Sequence, residues 1–249
     1  MIIAAAQFQS QAGKVALNVR RHVQFAEEAK RRGAGLLVFP ELSLSGYEPD
    51  LAEALQTDAD DEHFEPLRLC AQELALTVCA GMPLKTDGKP EIGMIIWHAD
   101  GRVETYSKQI LHEDELPFFS GGKRDLIISY GDMRLAPAIC YESVQAGHAE
   151  AASKRGANIY LASVAKPSGG MRKALTHYPA IAKQYGMAVI VANAVGPSDN
   201  FVAVGQSGAW TSAGTCVGVC DETEEALFVT NMADGSVQIV NEPVAGCLA

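Results

Sequence analysis

The chain has 249 residues, of which 48% are hydrophobic and 20% charged, which excludes a disordered segment and allows a sizeable core. A formal net charge of −10 argues against the basic stripe by which proteins hold nucleic acid. No apolar run approaches the roughly 20 residues that span a bilayer, and Met1-Ile2-Ile3-Ala4-Ala5-Ala6-Gln7 lacks the basic start of a secretory signal, so a cytoplasmic protein with neither membrane nor nucleic acid as partner is expected.

Strands and helices alternate along the chain. Ile2 to Gln7 predicts a strand, and Val15, Val19, Val23 and Ala26 recur at helical spacing before Gly33. Leu36 to Phe39 has the continuous apolar character of a buried strand. Glu62 to Leu74 predicts a helix and Leu76 to Ala80 a strand. Ile92 to Trp97 and Arg102 to Lys108 flank His98-Ala99-Asp100-Gly101, whose Asp-Gly pair signals a hairpin. Leu126 to Tyr130 and Met133 to Ile139 flank Gly131-Asp132 in the same way. Ala146 to Arg155 predicts a helix, Asn158 to Ser163 a strand, Lys173 to Tyr185 a helix and Met187 to Ala192 a strand. Ala203 to Trp210 and Thr215 to Val219 predict a third hairpin, and Leu227 to Thr230 a late strand. No linker or repeat interrupts the pattern, so residues 1–249 are expected to form a single α/β domain with helices layered over a mixed sheet.

The six cysteines are scattered and do not form a disulfide framework. Cys216 and Cys220, four apart in a predicted strand, should share a face, but no His or Cys nearby completes a tetrahedral zinc set. Apart from Cys140, the cysteines read as buried small hydrophobes. Neither a metal nor a cofactor is expected.

Three reactive residues stand at predicted strand ends. Leu36-Leu37-Val38-Phe39 runs into Pro40-Glu41, Val103 to Ser107 runs into Lys108, and Leu135 to Ile139 ends on Cys140. Ligands of open α/β sheets sit beyond the carboxyl ends of strands. A carboxylate, an ammonium and a thiol so placed fit covalent catalysis: Cys140 as nucleophile, Glu41 as its general base, and Lys108 with the backbone N–H of Tyr141 as oxyanion donors. At these residues the chain resembles the nitrilase superfamily of carbon–nitrogen hydrolases. Phe39-Pro40-Glu41-Leu42 with Gly46-Tyr47, Tyr106-Ser107-Lys108 and Ile139-Cys140-Tyr141-Glu142 look like its three signatures, in the same order, and Asn193-Ala194-Val195-Gly196 follows downstream.

The resemblance implies a four-layer α-β-β-α sandwich, a homodimer or larger homo-oligomer, and the catalytic roles just given. It also implies a second glutamate before an aromatic pair. Glu115, ahead of Phe118-Phe119, is the candidate, with Glu113 and Asp114 as near alternatives. Tyr47 and Tyr141 are candidates to line the pocket, and Lys166, in Ser163-Val164-Ala165-Lys166-Pro167, is a candidate to hold a substrate carboxylate. The stretch Tyr141-Glu142-Ser143-Val144-Gln145-Ala146 lacks the arginine and proline common in the family, which leaves the subfamily open. The expected function is cysteine-dependent hydrolysis of a non-peptide C–N bond, in a small linear amide or N-carbamoyl compound, through a thioester. The alternatives are nitrile hydrolysis and a catalytically silent binding or scaffold role on the same fold.

Overall fold

The computed structural model describes residues 1–241 and 243. Strand β1 (Ile2–Gln7) is followed by helix α1 (Val15–Arg31), β2 (Leu36–Val38), the single-turn α2 (Ala52–Leu55), α3 (Glu65–Glu73), β3 (Thr77–Leu84), β4 (Glu91–Trp97) and β5 (Val103–Ser107). The second half runs β6 (Ile128–Tyr130), β7 (Met133–Ile139), α4 (Ala146–Lys154), β8 (Ile159–Val164), α5 (Ser168–Tyr185) and β9 (Ala188–Asn193). It closes with β10 (Val195–Ser198), β11 (Phe201–Val204), β12 (Gly208–Trp210), β13 (Cys216–Val219), β14 (Ala226–Asn231) and β15 (Val237–Asn241).

Two large sheets form, ordered β15-β14-β1-β2-β3-β4-β5 and β13-β12-β9-β8-β7-β6. Successive side chains of a strand point to opposite faces, so strands apolar at every position bury both. Ile3 and Ala5 of β1 and Leu36 and Val38 of β2 join Leu135 and Ile139 of β7, Leu161 of β8 and Ile190 of β9 in one core between the sheets. The alternate residues Ala4, Ala6 and Leu37 pack with Val19, Phe25 and Ala26 of α1 and Leu67 and Ala71 of α3. On the other sheet, Ala138, Tyr160, Ala162 and Val191 pack with Ala149 of α4 and Met171, Ala174 and Tyr178 of α5. The layers therefore run helix, sheet, sheet, helix, as the resemblance implied.

The central strands β1, β2 and β3 are parallel to one another, as are β7, β8 and β9. Their carboxyl ends meet across the sandwich. Ser163 Oγ at the end of β8 donates to the Phe39 carbonyl beyond β2 at 2.8 Å, and Phe8 bridges to Ala194. That shared end places the candidate site.

The third predicted hairpin is corrected. Gly205 and Gln206, at φ 56° and 59°, break the expected strand from Ala203 to Trp210. Its first part, β11, pairs instead with β10 in a separate two-stranded sheet, and only β12 pairs with β13. Cys216 and Cys220 do not share a face either. Trp210 pairs with Cys216 but Ala209 with Gly218, so Val217 is an extra residue that shifts the alternation. Cys216 is exposed, whereas Cys220 is buried with Cys70 and Cys79; Cys247 lies outside the described residues. Helix α5 begins at Ser168, earlier than predicted, through Gly169 and Gly170 and across Pro179. Among the described residues, no helix is long and apolar enough to cross a membrane, and no group of three or more His, Cys, Asp or Glu is arranged to hold a metal ion.

Candidate active site

Glu41 lies in a tight turn after β2. Leu42, next to it, has φ 51°, in the left-handed region that few non-glycine residues occupy. The turn is pressed against β3. Leu44 N–H donates to the Gly81 carbonyl at 2.9 Å, and a Cβ on Gly81 would fall 2.2 Å from the Leu42 nitrogen. Behind the turn stands His22 of α1, fully buried and stacked on Phe39 with ring centroids 3.9 Å apart. Its Nδ1 lies 2.7 Å from the Asn18 carbonyl, which can only accept, so Nδ1 carries the proton and Nε2 accepts from Ser43 Oγ at 2.9 Å. Burial lowers the His22 pKa to about 3, which keeps the ring neutral.

Lys108 follows β5 and reaches inward. Its Nζ donates to Glu41 Oε1 at 2.9 Å and to Glu115 Oε1 at 2.5 Å, and all three side chains are buried. Of the three candidate acids in this segment, Glu113 and Asp114 are exposed. Glu115 is also fixed by the His112 N–H at 2.7 Å and by the Tyr47 hydroxyl at 3.0 Å. Burial pushes the Glu41 carboxyl well above its usual range, and the Glu115 charge adds to this against the pull of Lys108. For Lys108 burial acts downward, but Glu41, Cys140 and Glu115 together outweigh it and hold the ammonium charged. Glu41 Oε2 has no hydrogen-bond partner among the described residues.

Cys140 caps β7 with φ 45°, again left-handed. Its N–H donates to the Ser163 carbonyl at 3.0 Å, and its own carbonyl accepts from Ser143 N–H at 3.1 Å and Ser143 Oγ at 2.6 Å. Burial and the Glu41 charge push the thiol upward, so it rests protonated, opposed by Lys166 and Lys108. Tyr141 is half-buried, edge-on to His112 at 5.0 Å, and Tyr47 packs similarly against Phe201 at 5.6 Å. Lys166 is buried, with Nζ 3.2 Å from the Cys140 carbonyl oxygen and 3.7 Å from Sγ.

Besides His22, two features escaped the reading of the sequence. One is the contact of Lys166 with Cys140, which depends on how β7 and β8 align. The other is Glu142. Its buried carboxylate accepts from Ile139 N–H, Gln109 N–H and the Tyr106 hydroxyl, each at 2.7 Å. It thereby ties the backbone just after Lys108 to the backbone just before Cys140. An acid two residues past the cysteine was visible, but its span to Gln109 was not.

A carbon-nitrogen hydrolase family model matches residues 2–240. The chain belongs to the carbon-nitrogen hydrolase family. It is accordingly an enzyme that hydrolyses carbon–nitrogen bonds. Among solved structures it is similar to the amidase of Nesterenkonia sp. AN1. A variant of that amidase carrying the acetamide moiety of fluoroacetamide on its active-site cysteine matches with TM-score 0.85 at 26% identity, covering 94% of this chain and 92% of the amidase. Another variant, in complex with butyramide, matches with TM-score 0.84 at 25% identity over 98% and 91% of the two chains. The hydrolase is also similar to the glutamine-dependent NAD(+) synthetase of Acinetobacter baylyi, 26% identical over 219 residues and covering 82% of this chain. It spans about two-fifths of the length of such synthetases, 39% of this one and 42% of that from Thermotoga maritima.

Proposed function

We propose that this hydrolase cleaves small linear amides or N-carbamoyl compounds through a thioester on Cys140. One observation carries the reading: a buried carboxylate, Glu41, has one oxygen on Lys108 and the other without a partner among the described residues, beside a thiol on a strained turn. Glu41 takes the Sγ proton as the sulfur lone pair attacks the carbonyl carbon. The carbonyl electron pair moves onto oxygen, where Lys108 Nζ and the Tyr141 N–H donate to it. As the tetrahedral adduct collapses, the C–N bond breaks and Glu41 returns its proton to the leaving nitrogen. Glu41 then takes a proton from the water that attacks the thioester, and returns it to the sulfur as the acid departs. Glu115 holds Lys108 in line. The amidase neighbours support an amide over a nitrile, because one binds butyramide and another carries an acetamide moiety on its cysteine. The synthetase relatives support an amide of the glutamine type within the same class.

The test is an ammonia-release screen over primary amides, ω-amides, N-carbamoyl compounds and nitriles, with intact-mass analysis after quenching. At least one amide or carbamoyl compound should turn over, and Cys140→Ala should lose activity by several orders of magnitude with an unchanged circular dichroism spectrum. Glu41→Gln with an activated ester should accumulate one acyl group on the Cys140 peptide. Acylation elsewhere, or turnover by Cys140→Ala, would overturn the reading.

A further inference from the structure

Lys166 is not explained by the chemistry above. Lys108 shares its ammonium between two carboxylates, Glu41 and Glu115. Lys166 is also buried but makes no salt bridge among the described residues; its Nζ hydrogen-bonds there only to the Cys140 carbonyl and Sγ. A buried ammonium without a counter-ion is costly and persists where an anion forms beside it. Its position is fixed from behind. Asn193 Oδ1 accepts from the Lys166 N–H at 2.8 Å, and Asn193 Nδ2 donates to the Lys166 carbonyl at 3.3 Å. Val204 N–H donates to that carbonyl as well, at 3.2 Å. Asn193, one of the motif residues with no assigned role, thus holds the stem from which Nζ reaches the nucleophile.

We propose that Lys166 is a second catalytic cation, whose Nζ donates to Cys140 Sγ in the thiolate formed when the thiol proton moves to Glu41. The step needs no other reagent: the proton passes from sulfur to Glu41 Oε2, and the negative charge passes from carboxylate to sulfur. The charge count supports it. Glu41, Glu115 and Lys108 alone leave the buried cluster one negative charge in excess, and Lys166 makes it neutral before and after the transfer. The inference rests on Cys140 being the nucleophile and adds a residue to that machinery.

The experiment reads the sulfur directly. Alkylation of Cys140 by iodoacetamide, a neutral probe, is followed by peptide mapping from pH 5 to 10, which separates it from exposed Cys216. The titratable groups that act on Sγ or Lys166 are Glu41, Tyr47, Lys108, Glu115, Tyr178 and His177, and all stay in place. Lys166→Met, which keeps the length of the stem, should slow alkylation at least about tenfold at every pH up to 10, where the raised thiol is still mostly protonated. Lys166→Arg should recover most of the rate. Turnover of a neutral amide should lose kcat in the same proportion, with little change in KM. Lys166→Gln repeats the test if the methionine variant does not fold. Unchanged alkylation with loss confined to carboxylate-bearing amides would overturn the proposal and make Lys166 a substrate anchor. Unchanged alkylation and unchanged turnover would reduce it to packing. Turnover by Cys140→Ala would instead defeat the thioester chemistry, whatever Lys166 does.

Discussion

Cys140 adopts a backbone conformation that costs on the order of 1–3 kcal/mol for a residue with a side chain. The bonds from Ser143 and to Ser163 hold it, and they leave Sγ 3.7 Å from the Ala165 carbonyl and 3.7 Å from Lys166 Nζ. Lys108 serves the same site electrostatically, as the cation that lets two carboxylates be buried together. Lys108→Met should therefore have two separable effects. Because the oxyanion exists only near the transition state, kcat should fall by at least roughly a hundredfold, about 3 kcal/mol, with a smaller change in KM. Glu41, whose carboxyl burial already raises to about 7, would also lose its counter-ion and take up a proton still more readily than in the unfolded chain. The variant should then gain stability relative to wild type as pH falls through the raised Glu41 value. Steady-state kinetics and urea melts at pH 8 and 5.5 check both. A change in KM alone would make Lys108 a substrate anchor.

At the scale of elements, the site is built where parallel strands end, and β3 sets how closely the Glu41 turn approaches. Gly81 permits that approach, since a Cβ there would overlap the Leu42 nitrogen at 2.2 Å and the Glu41 carbonyl carbon at 3.1 Å. These are backbone atoms, so the turn itself must move. Gly81→Ala should cost about 1–3 kcal/mol of stability and lower kcat through displacement of Glu41. Gly88→Ala, where an added Cβ meets nothing within 4 Å, is the control and should change neither. Equal behaviour of the two variants would show that the turn has slack. Strand ends of this kind were legible because short apolar runs stop at a charged or reactive residue. What was not legible lay where one residue type has two local meanings. The predicted strand stops at Ala80, before Gly81 and Pro83, yet β3 continues through both to Leu84. The predicted helix begins at Lys173, after Gly169-Gly170, yet α5 runs through them because Met171 and Ala174 are buried against the sheet. Val195 to Ser198, beyond the predicted strand Met187 to Ala192, falls in no predicted element and is a strand of its own, paired with β11.

For the whole molecule, local periodicity indicated mixed α/β structure and no more. The four layers followed from the resemblance, because which face of a doubly apolar strand meets a helix and which meets the other sheet is decided only by long-range packing. The contacts of Lys166 and Glu142 were hidden for the same reason: each joins segments that the fold, and not the sequence interval, brings together. His22 is a third such residue, and it couples the stability of the fold to the site. Its neutral ring joins α1 to Ser43 in the Glu41 turn, so protonation would put a charge among Phe8, Phe25 and Phe39. The unfolded chain binds that proton near pH 6.5, the folded protein only near 3. Between these values the unfolded state holds the extra proton, so stability is full above about pH 6.5 and declines as pH falls towards 3. The slope contributed is about 1.4 kcal/mol per pH unit, or roughly 2 kcal/mol between pH 7 and 5. His22→Gln should be less stable than wild type at pH 7 but lack this slope, so the gap between the two should narrow by that amount at pH 5. Urea melts of both proteins across the range measure it. Parallel curves would mean that the His22 ring takes up its proton without leaving the core, and that the Glu41 turn does not depend on a neutral imidazole.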